Sequence, residues 1–150
     1  MIDENIQSPV ARWGGWILTG LFGLFMLFDA GIKLIQLPIV EQTMAQLGYP
    51  PGLGFMIGMM EAIFLILYLV PRTSVLGAVL FMGVFGGAIA SHVRQEAPLF
   101  SHVLFGVYLS LFMWSGLWLR DPGLRRIFPV RTRHPPFLDS PTGGETHIAR

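Results

Sequence analysis

The chain has 150 residues, the length of one ordinary domain. Hydrophobic residues make up 53% of it and charged residues only 13%, whereas soluble domains average about 25% charged residues, so a water-soluble protein is excluded. The formal net charge of +1, with no stretch of interleaved basic residues, gives no sign of nucleic-acid binding. The absence of cysteine excludes disulfide exchange, thiolate-held iron–sulfur clusters and cysteine-ligated zinc within this chain.

Long apolar segments predict an all-α integral membrane protein with four spanning helices, because about 20 residues of helix cross a bilayer. In chain order the predicted helices are residues 13–37, 52–70, 74–93 and 98–119. Pro51 suits the first turn of the second helix, and Thr73 or Ser74 suits the N-cap of the third. The leader before the first helix contains Asp3 and Glu4, which is atypical of a cleavable signal, so we expect this helix to stay in the mature protein.

The segment between the first two helices, residues 37–51, predicts a short amphipathic helix. Val40, Met44 and Leu47 fall on one helical face, and Gly48 is a typical C-terminal stop. Such a helix would lie on the membrane surface. An ordinary connecting loop is the alternative, since short isolated helices are only marginally stable.

Basic residues near the helix ends predict the orientation of the chain. One side of the predicted bundle carries Arg12, Arg72, Arg120, Arg125, Arg126, Arg131 and Arg133. The other side has only Lys33 and Arg94. We therefore expect a multi-pass inner-membrane protein with both termini in the cytoplasm. Residues 1–129 form the predicted membrane domain, and the proline- and glycine-rich residues 130–150 are predicted to be a disordered cytoplasmic tail.

Three ionisable residues interrupt the apolar helices at similar depth. Asp29 lies nine residues from Pro38 and Glu61 lies nine residues from Gly52, which places each carboxyl about 13 Å inside the outer end of its helix. Lys33 shares a helical face with Asp29 at i, i+4 spacing. Because ionisable groups in a membrane face partners or water-filled space, we expect the three to form one polar group in the outer half of the bundle. A helix tie without further function is the alternative.

Three further polar residues are predicted near the same outer ends: His92, Arg94 and His102. Two carboxylates with one ammonium leave the charge unbalanced. We therefore expect either Arg94 or a histidine to approach the acids, or one carboxyl to hold a proton. Each histidine alone also fits an ordinary interfacial residue with a wet tip. No metal site is predicted, and no catalytic sequence motif is present.

Two glycine pairs have the GxxxG spacing that lets helices approach closely, Gly54 with Gly58 and Gly83 with Gly87. The same glycines could instead leave room for a ligand beside the segment "GGAIASH".

Six short motifs, in this order and spacing, make residues 13–129 resemble the DoxX-like family of small membrane proteins. They are "GIKL" (31–34), "LGYP" (47–50), "GMMEA" (58–62), "VPRTSVLGAVL" (70–80), "GGAIASHVR" (86–94) and "WLRDPGLRRIFP" (118–129). The resemblance implies a four-helix inner-membrane fold. It also implies a link to membrane redox systems, since the namesake of the family is associated with quinone-linked thiosulfate oxidation. It assigns no catalytic residue here, and without cysteine this chain has no thiol to carry sulfur.

Three functions remain open. The first is a quinone- or lipid-interacting subunit of a membrane redox system, in which Glu61 or Asp29 exchanges a proton and His92 or His102 holds a carbonyl. The second is a small-solute carrier or permeation element, and the third is a non-catalytic structural or assembly partner. The expected contacts are the lipid bilayer, with membrane proteins or a second copy as candidate partners. An enzymatic activity of the isolated chain is not predicted, and quinone is the one cofactor considered.

Overall fold

A computed structural model describes residues 9–127, and the predicted tail lies outside them. The described residues form helices joined by short turns, with no strand between residues 9 and 127, which confirms the all-α prediction. The helices are α1 (Pro9–Leu34), α2 (Pro38–Gln46), α3 (Leu53–Leu69), α4 (Ser74–Arg94), α5 (Phe105–Arg120) and α6 (Pro122–Ile127). A π-helical turn, Leu99–Val103, leads into α5.

Three segments are long and apolar enough to cross a membrane: Pro9–Leu34, Ser74–Arg94 and Leu99–Arg120. The fourth apolar helix, α3, has 17 residues, at the lower limit of a spanning length. The outward faces are apolar as well; Leu24, Leu27 and Phe28 of α1, for example, are 62–67% exposed. Exposed apolar side chains on the outside of a helical bundle suit contact with lipid.

The long helices pack in a ring. Helix α1 contacts α3 and α5, and α4 closes the ring by contacting the same two helices. Phe22 of α1 lies at the centre of the apolar core, where its ring meets the edges or faces of Tyr68, Phe81 and Phe85 at 5.1–6.3 Å. The hydroxyl of Tyr68 donates to the backbone carbonyl of Met113 at 3.0 Å. These contacts join α1, α3, α4 and α5 in one core.

Two short elements differ from the sequence-based expectation. The fourth predicted helix, residues 98–119, is not a single α-helix, because a π-helical turn precedes α5. Helix α6 was not predicted at all. It begins after Asp121, whose Oδ1 accepts hydrogen bonds from the backbone N–H groups of Gly123 and Leu124. Asp121 followed by Pro122 is a recognisable helix start, since aspartate caps free N–H groups and proline fits the first turn.

Helix α2 occupies the segment in which a short amphipathic helix was predicted. Pro38 stands in its first turn, and the backbone reverses at Gly48, where φ is 78°. Its placement on a membrane surface stays a prediction.

Candidate functional site

Lys33 lies between the two acids. Its ammonium nitrogen is 2.5 Å from Asp29 Oδ2, one helical turn earlier in α1. The same nitrogen is 2.7 Å and 2.8 Å from the two carboxylate oxygens of Glu61 in α3. The three residues, which we call the ionic triad, thus join α1 to α3 through a single ammonium group.

Gly58 explains why α1 and α3 can come this close. A Cβ atom built on Gly58 would lie 2.7 Å from the Cβ of Lys33 and 3.2 Å from the carbonyl oxygen of Ala30. Only a residue without a side chain fits here. Glu61 follows Gly58 by three residues and therefore projects from nearly the same side of α3, which brings its carboxylate to Lys33.

The ionic triad is unevenly buried and unevenly charged. The side chain of Glu61 is 3% exposed and that of Lys33 is 13% exposed, whereas that of Asp29 is 28% exposed. Across residues 9–127, Lys33 is the one basic side chain within salt-bridge distance of either acid. With both acids ionised the group carries one net negative charge, and Asp29 is the member with the most access to its surroundings.

The ionic triad lines a partly open pocket of about 410 Å³. Helices α1 to α5, the loop after α2 and the π-helical turn all contribute to it. Most of the lining is apolar, with Phe25, Ile57 and Leu109 from three different helices. Its polar side chains are Asp29, Lys33, Thr43, Tyr49, Glu61, Ser91, His92 and His102. A concave apolar space with a few convergent polar groups is the usual form of a small-molecule site.

The two GxxxG pairs do different things. Gly54 and Gly58 are buried against neighbouring elements: a Cβ on Gly54 would lie 2.9 Å from Val40 of α2. Gly83 and Gly87 line the pocket, and a Cβ on either would meet nothing within 4 Å. The first pair therefore serves helix contact, and the second leaves open space at the pocket wall.

His92 and His102 contact each other at another part of the lining. Their ring centroids are 5.5 Å apart with an interplanar angle of 64°. His102 belongs to the π-helical turn, and its Nδ1 is 2.8 Å from the hydroxyl of Ser101. A π turn holds one residue more than an α turn and is frequent at functional sites.

Arg94 does not line the pocket, which separates it from the other five predicted site residues. Its Nη2 donates to the carbonyl oxygen of Leu47, the residue after α2, at 2.5 Å. The expectation that Arg94 could approach the acids therefore does not hold in this structure. Arg94 instead ties the end of α4 to the end of α2.

Tyr49 and Ser91 are pocket residues that sequence reasoning missed. The hydroxyl of Tyr49 is hydrogen-bonded to the hydroxyl of Ser91, and Ser91 donates to the carbonyl oxygen of Gly87 at 2.8 Å. Tyr49 lies between Gly48 and Pro50, in a stretch without periodicity. Ser91 is a small polar residue that resembles ordinary helix packing. Both positions lie within motifs of the family resemblance, "LGYP" and "GGAIASHVR", but neither motif by itself indicates a place in a pocket.

Comparison with protein-family models matches residues 17–116, which are 100 of the 150 residues, to the DoxX-like family. The matched stretch contains every residue that lines the pocket, from Phe25 to Leu109. Searches of curated proteins and of solved structures found no match. Together with its long apolar helices, the match shows that the chain is a membrane protein that belongs to the DoxX-like family.

Proposed function

We propose that this chain is a multi-pass inner-membrane protein that binds an apolar molecule with a polar head, a quinone or a lipid, in the pocket beside the ionic triad. It acts as a ligand-binding subunit of a membrane redox system and not as an enzyme on its own. The observation that carries the proposal is the pocket itself: about 410 Å³ of largely apolar space with charged residues in its wall.

The orientation follows from the basic residues. Arg12 is exposed near the start of α1, and Arg72 lies between α3 and α4. Arg120 ends α5, and Arg125 lies in α6. With α1, α3, α4 and α5 all crossing the membrane, these four arginines fall on one side, which is cytoplasmic by the positive-inside rule. The ionic triad then belongs to the outer half of the bundle.

The shape and chemistry of the pocket favour an amphiphile over a small polar solute. Small-molecule pockets commonly measure about 300–1,000 Å³, so 410 Å³ accommodates a ring-sized head with part of a tail. The apolar walls suit the tail, and the wall at Gly83 and Gly87, both exposed, leaves space for it. The polar head would then lie against the ionic triad or the histidines.

One specific observation favours a second candidate, a purely structural role. Lys33 is bonded to both acids, so the ionic triad can hold α1 against α3 without any ligand. Structural ion pairs and functional ones look alike in this respect. A test must therefore act on the pocket and leave the ionic triad intact.

Two neighbouring glycines of α4 offer such a test. Gly87 lines the pocket and Gly86 does not, while a Cβ on either would meet nothing within 4 Å. We expect the wild-type chain, purified in a mild detergent, to retain a quinone or lipid that organic extraction and mass spectrometry detect in stoichiometric amount. Gly87→Leu should lose this molecule, because the leucine side chain fills the pocket.

Gly86→Leu is the matched control, since it makes the same change in helix propensity on an exposed face outside the pocket. It should retain the molecule at the wild-type level. Equal retention by both variants, or no bound molecule in the wild type, would refute the proposal and leave the structural role.

A further inference from the structure

The hydrogen-bond donors of the ionic triad are already used within the chain. The ammonium of Lys33 has three N–H bonds and lies within 2.5–2.8 Å of three carboxylate oxygens. No donor of Lys33 is left for a ligand. The carboxylates of Asp29 and Glu61 can only accept hydrogen bonds when they are ionised.

The hydroxyl groups in the lining are in the same condition. Thr43 donates to the carbonyl oxygen of Ile39 at 2.8 Å. Ser91 donates to Gly87 O, so the hydrogen bond between Tyr49 and Ser91 must use the hydrogen of Tyr49. The single hydrogen of each hydroxyl is already donated within the chain, so each hydroxyl can only accept a hydrogen bond from a ligand.

Acceptors, in contrast, remain available. Lys33 donates to Asp29 Oδ2 and not to Oδ1, and the Asp29 side chain, 28% exposed, lines the pocket. A carboxylate oxygen offers two acceptor positions. With both acids ionised, the part of the pocket beside the ionic triad presents negative charge and hydrogen-bond acceptors to whatever enters it.

The two histidines are the remaining source of side-chain donors in the lining. A neutral imidazole carries one N–H and one acceptor nitrogen. His102 is exposed and His92 is half-buried, so this donor-bearing part of the lining is the more open one. The pocket thus has two kinds of polar wall: acceptors only at the ionised triad, and imidazole N–H donors at the histidines, where His102 Nδ1 already pairs with the Ser101 hydroxyl.

We propose that the pocket selects its ligand by a hydroxyl group that donates a hydrogen bond to Asp29, so that it takes a reduced hydroquinone in preference to the oxidised quinone. The inference rests on the proposed function and names the ligand state for the same site. A hydroquinone has two hydroxyls, each a donor and an acceptor, and satisfies both walls. A quinone has carbonyl acceptors only. One carbonyl can accept a hydrogen bond from a histidine, but the other faces the carboxylates and has no hydrogen to donate to them.

The test uses a benzoquinone with a short isoprenoid tail and its reduced hydroquinone, titrated anaerobically into the full chain in mild detergent by isothermal titration calorimetry. The two probes share one tail, and empty micelles give the partition background. We expect the hydroquinone to bind at least about tenfold more tightly, because a hydrogen bond to a charged group typically contributes that factor or more.

Asp29→Asn is a control variant for which the direction of the change in affinity is predicted. Its amide supplies an N–H donor in place of the carboxylate, so affinity for the quinone should rise and the preference for the hydroquinone should shrink. Glu96→Gln, which removes an exposed carboxylate outside the pocket, should keep the wild-type preference.

The possible outcomes distinguish failure of the donor inference from failure of the proposed function. Equal or tighter binding of the quinone by the wild type overturns the donor inference and leaves ligand binding in place; it would mean that a proton on an acid supplies the missing donor. Binding of neither probe above the micelle background overturns the donor inference together with the quinone branch of the proposed function. An unchanged preference in Asp29→Asn overturns the role given to Asp29.

Discussion

Replacing Lys33 with methionine tests whether the ionic triad is one coupled unit. Lys33 Nζ makes contacts of 2.5–2.8 Å with both acids, so Lys33→Met leaves two carboxylates together with no counter-charge. Breaking a buried pair on one side costs about 3–5 kcal/mol in soluble proteins, and values in membranes are smaller. Glu61→Gln alone should cost about 1 kcal/mol, because the amide oxygen still accepts from Lys33.

The double variant Lys33→Met/Glu61→Gln should be more stable than Lys33→Met alone. It removes the stranded charge of Glu61, whose side chain is 3% exposed, and leaves Asp29, which at 28% exposed can be hydrated. We expect a coupling energy of about 1–3 kcal/mol. The measurement is the free energy of unfolding of the three variants and the wild type in one mild detergent.

A second cycle pairs Lys33→Met with Glu96→Gln and serves as the control, because Glu96 is an exposed carboxylate outside the pocket. That pair should be additive. Strict additivity in the Lys33–Glu61 cycle as well would refute the reasoning, since it would mean that Glu61 does not depend on the charge of Lys33.

Two further predictions concern packing and orientation. Gly58→Ala should lower the free energy of unfolding by about 1–3 kcal/mol, because the added methyl group would lie 2.7 Å from Lys33 Cβ; Gly83→Ala, with open space around it, should raise it by up to about 1 kcal/mol. A reporter fused to the C-terminus should report the cytoplasm, and one inserted in residues 38–51 should report the outside. Opposite signals would contradict the arginine argument.

Hydropathy and spacing were sufficient to predict the long apolar helices and the proximity within the ionic triad, but not α6 or the π-helical turn. Asp29 and Lys33 share a face because i, i+4 spacing fixes it locally. The position of Glu61 was inferred from its equal depth in the next helix, and the structure places it against Lys33. Such inferences work because the fixed rise per residue makes separation in sequence proportional to distance along the helix axis.

Contacts that depend on the path of a loop could not be predicted in this way. Approach of Arg94 to the acids was one of three alternatives, but the end of α2 lies beside the end of α4, and the carbonyl oxygen of Leu47 accepts a hydrogen bond from the Arg94 guanidinium. Tyr49 reaches Ser91 across 42 residues of sequence for the same reason. The π-helical turn at His102 has no hydrophobic period of its own, so it was included in a regular helix.

If α3 crosses the membrane, as the proposed orientation requires, its short length gives the lipid a direct influence on the pocket. Seventeen residues of helix span about 25 Å, whereas the hydrocarbon core of a typical bilayer is about 30 Å thick. With α3 as a crossing helix, the surrounding bilayer has to thin by about 5 Å beside it or leave polar groups at its ends within hydrocarbon. Thinning draws headgroups and water toward the level of Glu61. The length of the lipid acyl chains thereby acts on the ionic triad from outside the protein. The short α3 then also favours residence of the chain in the thinner regions of a membrane.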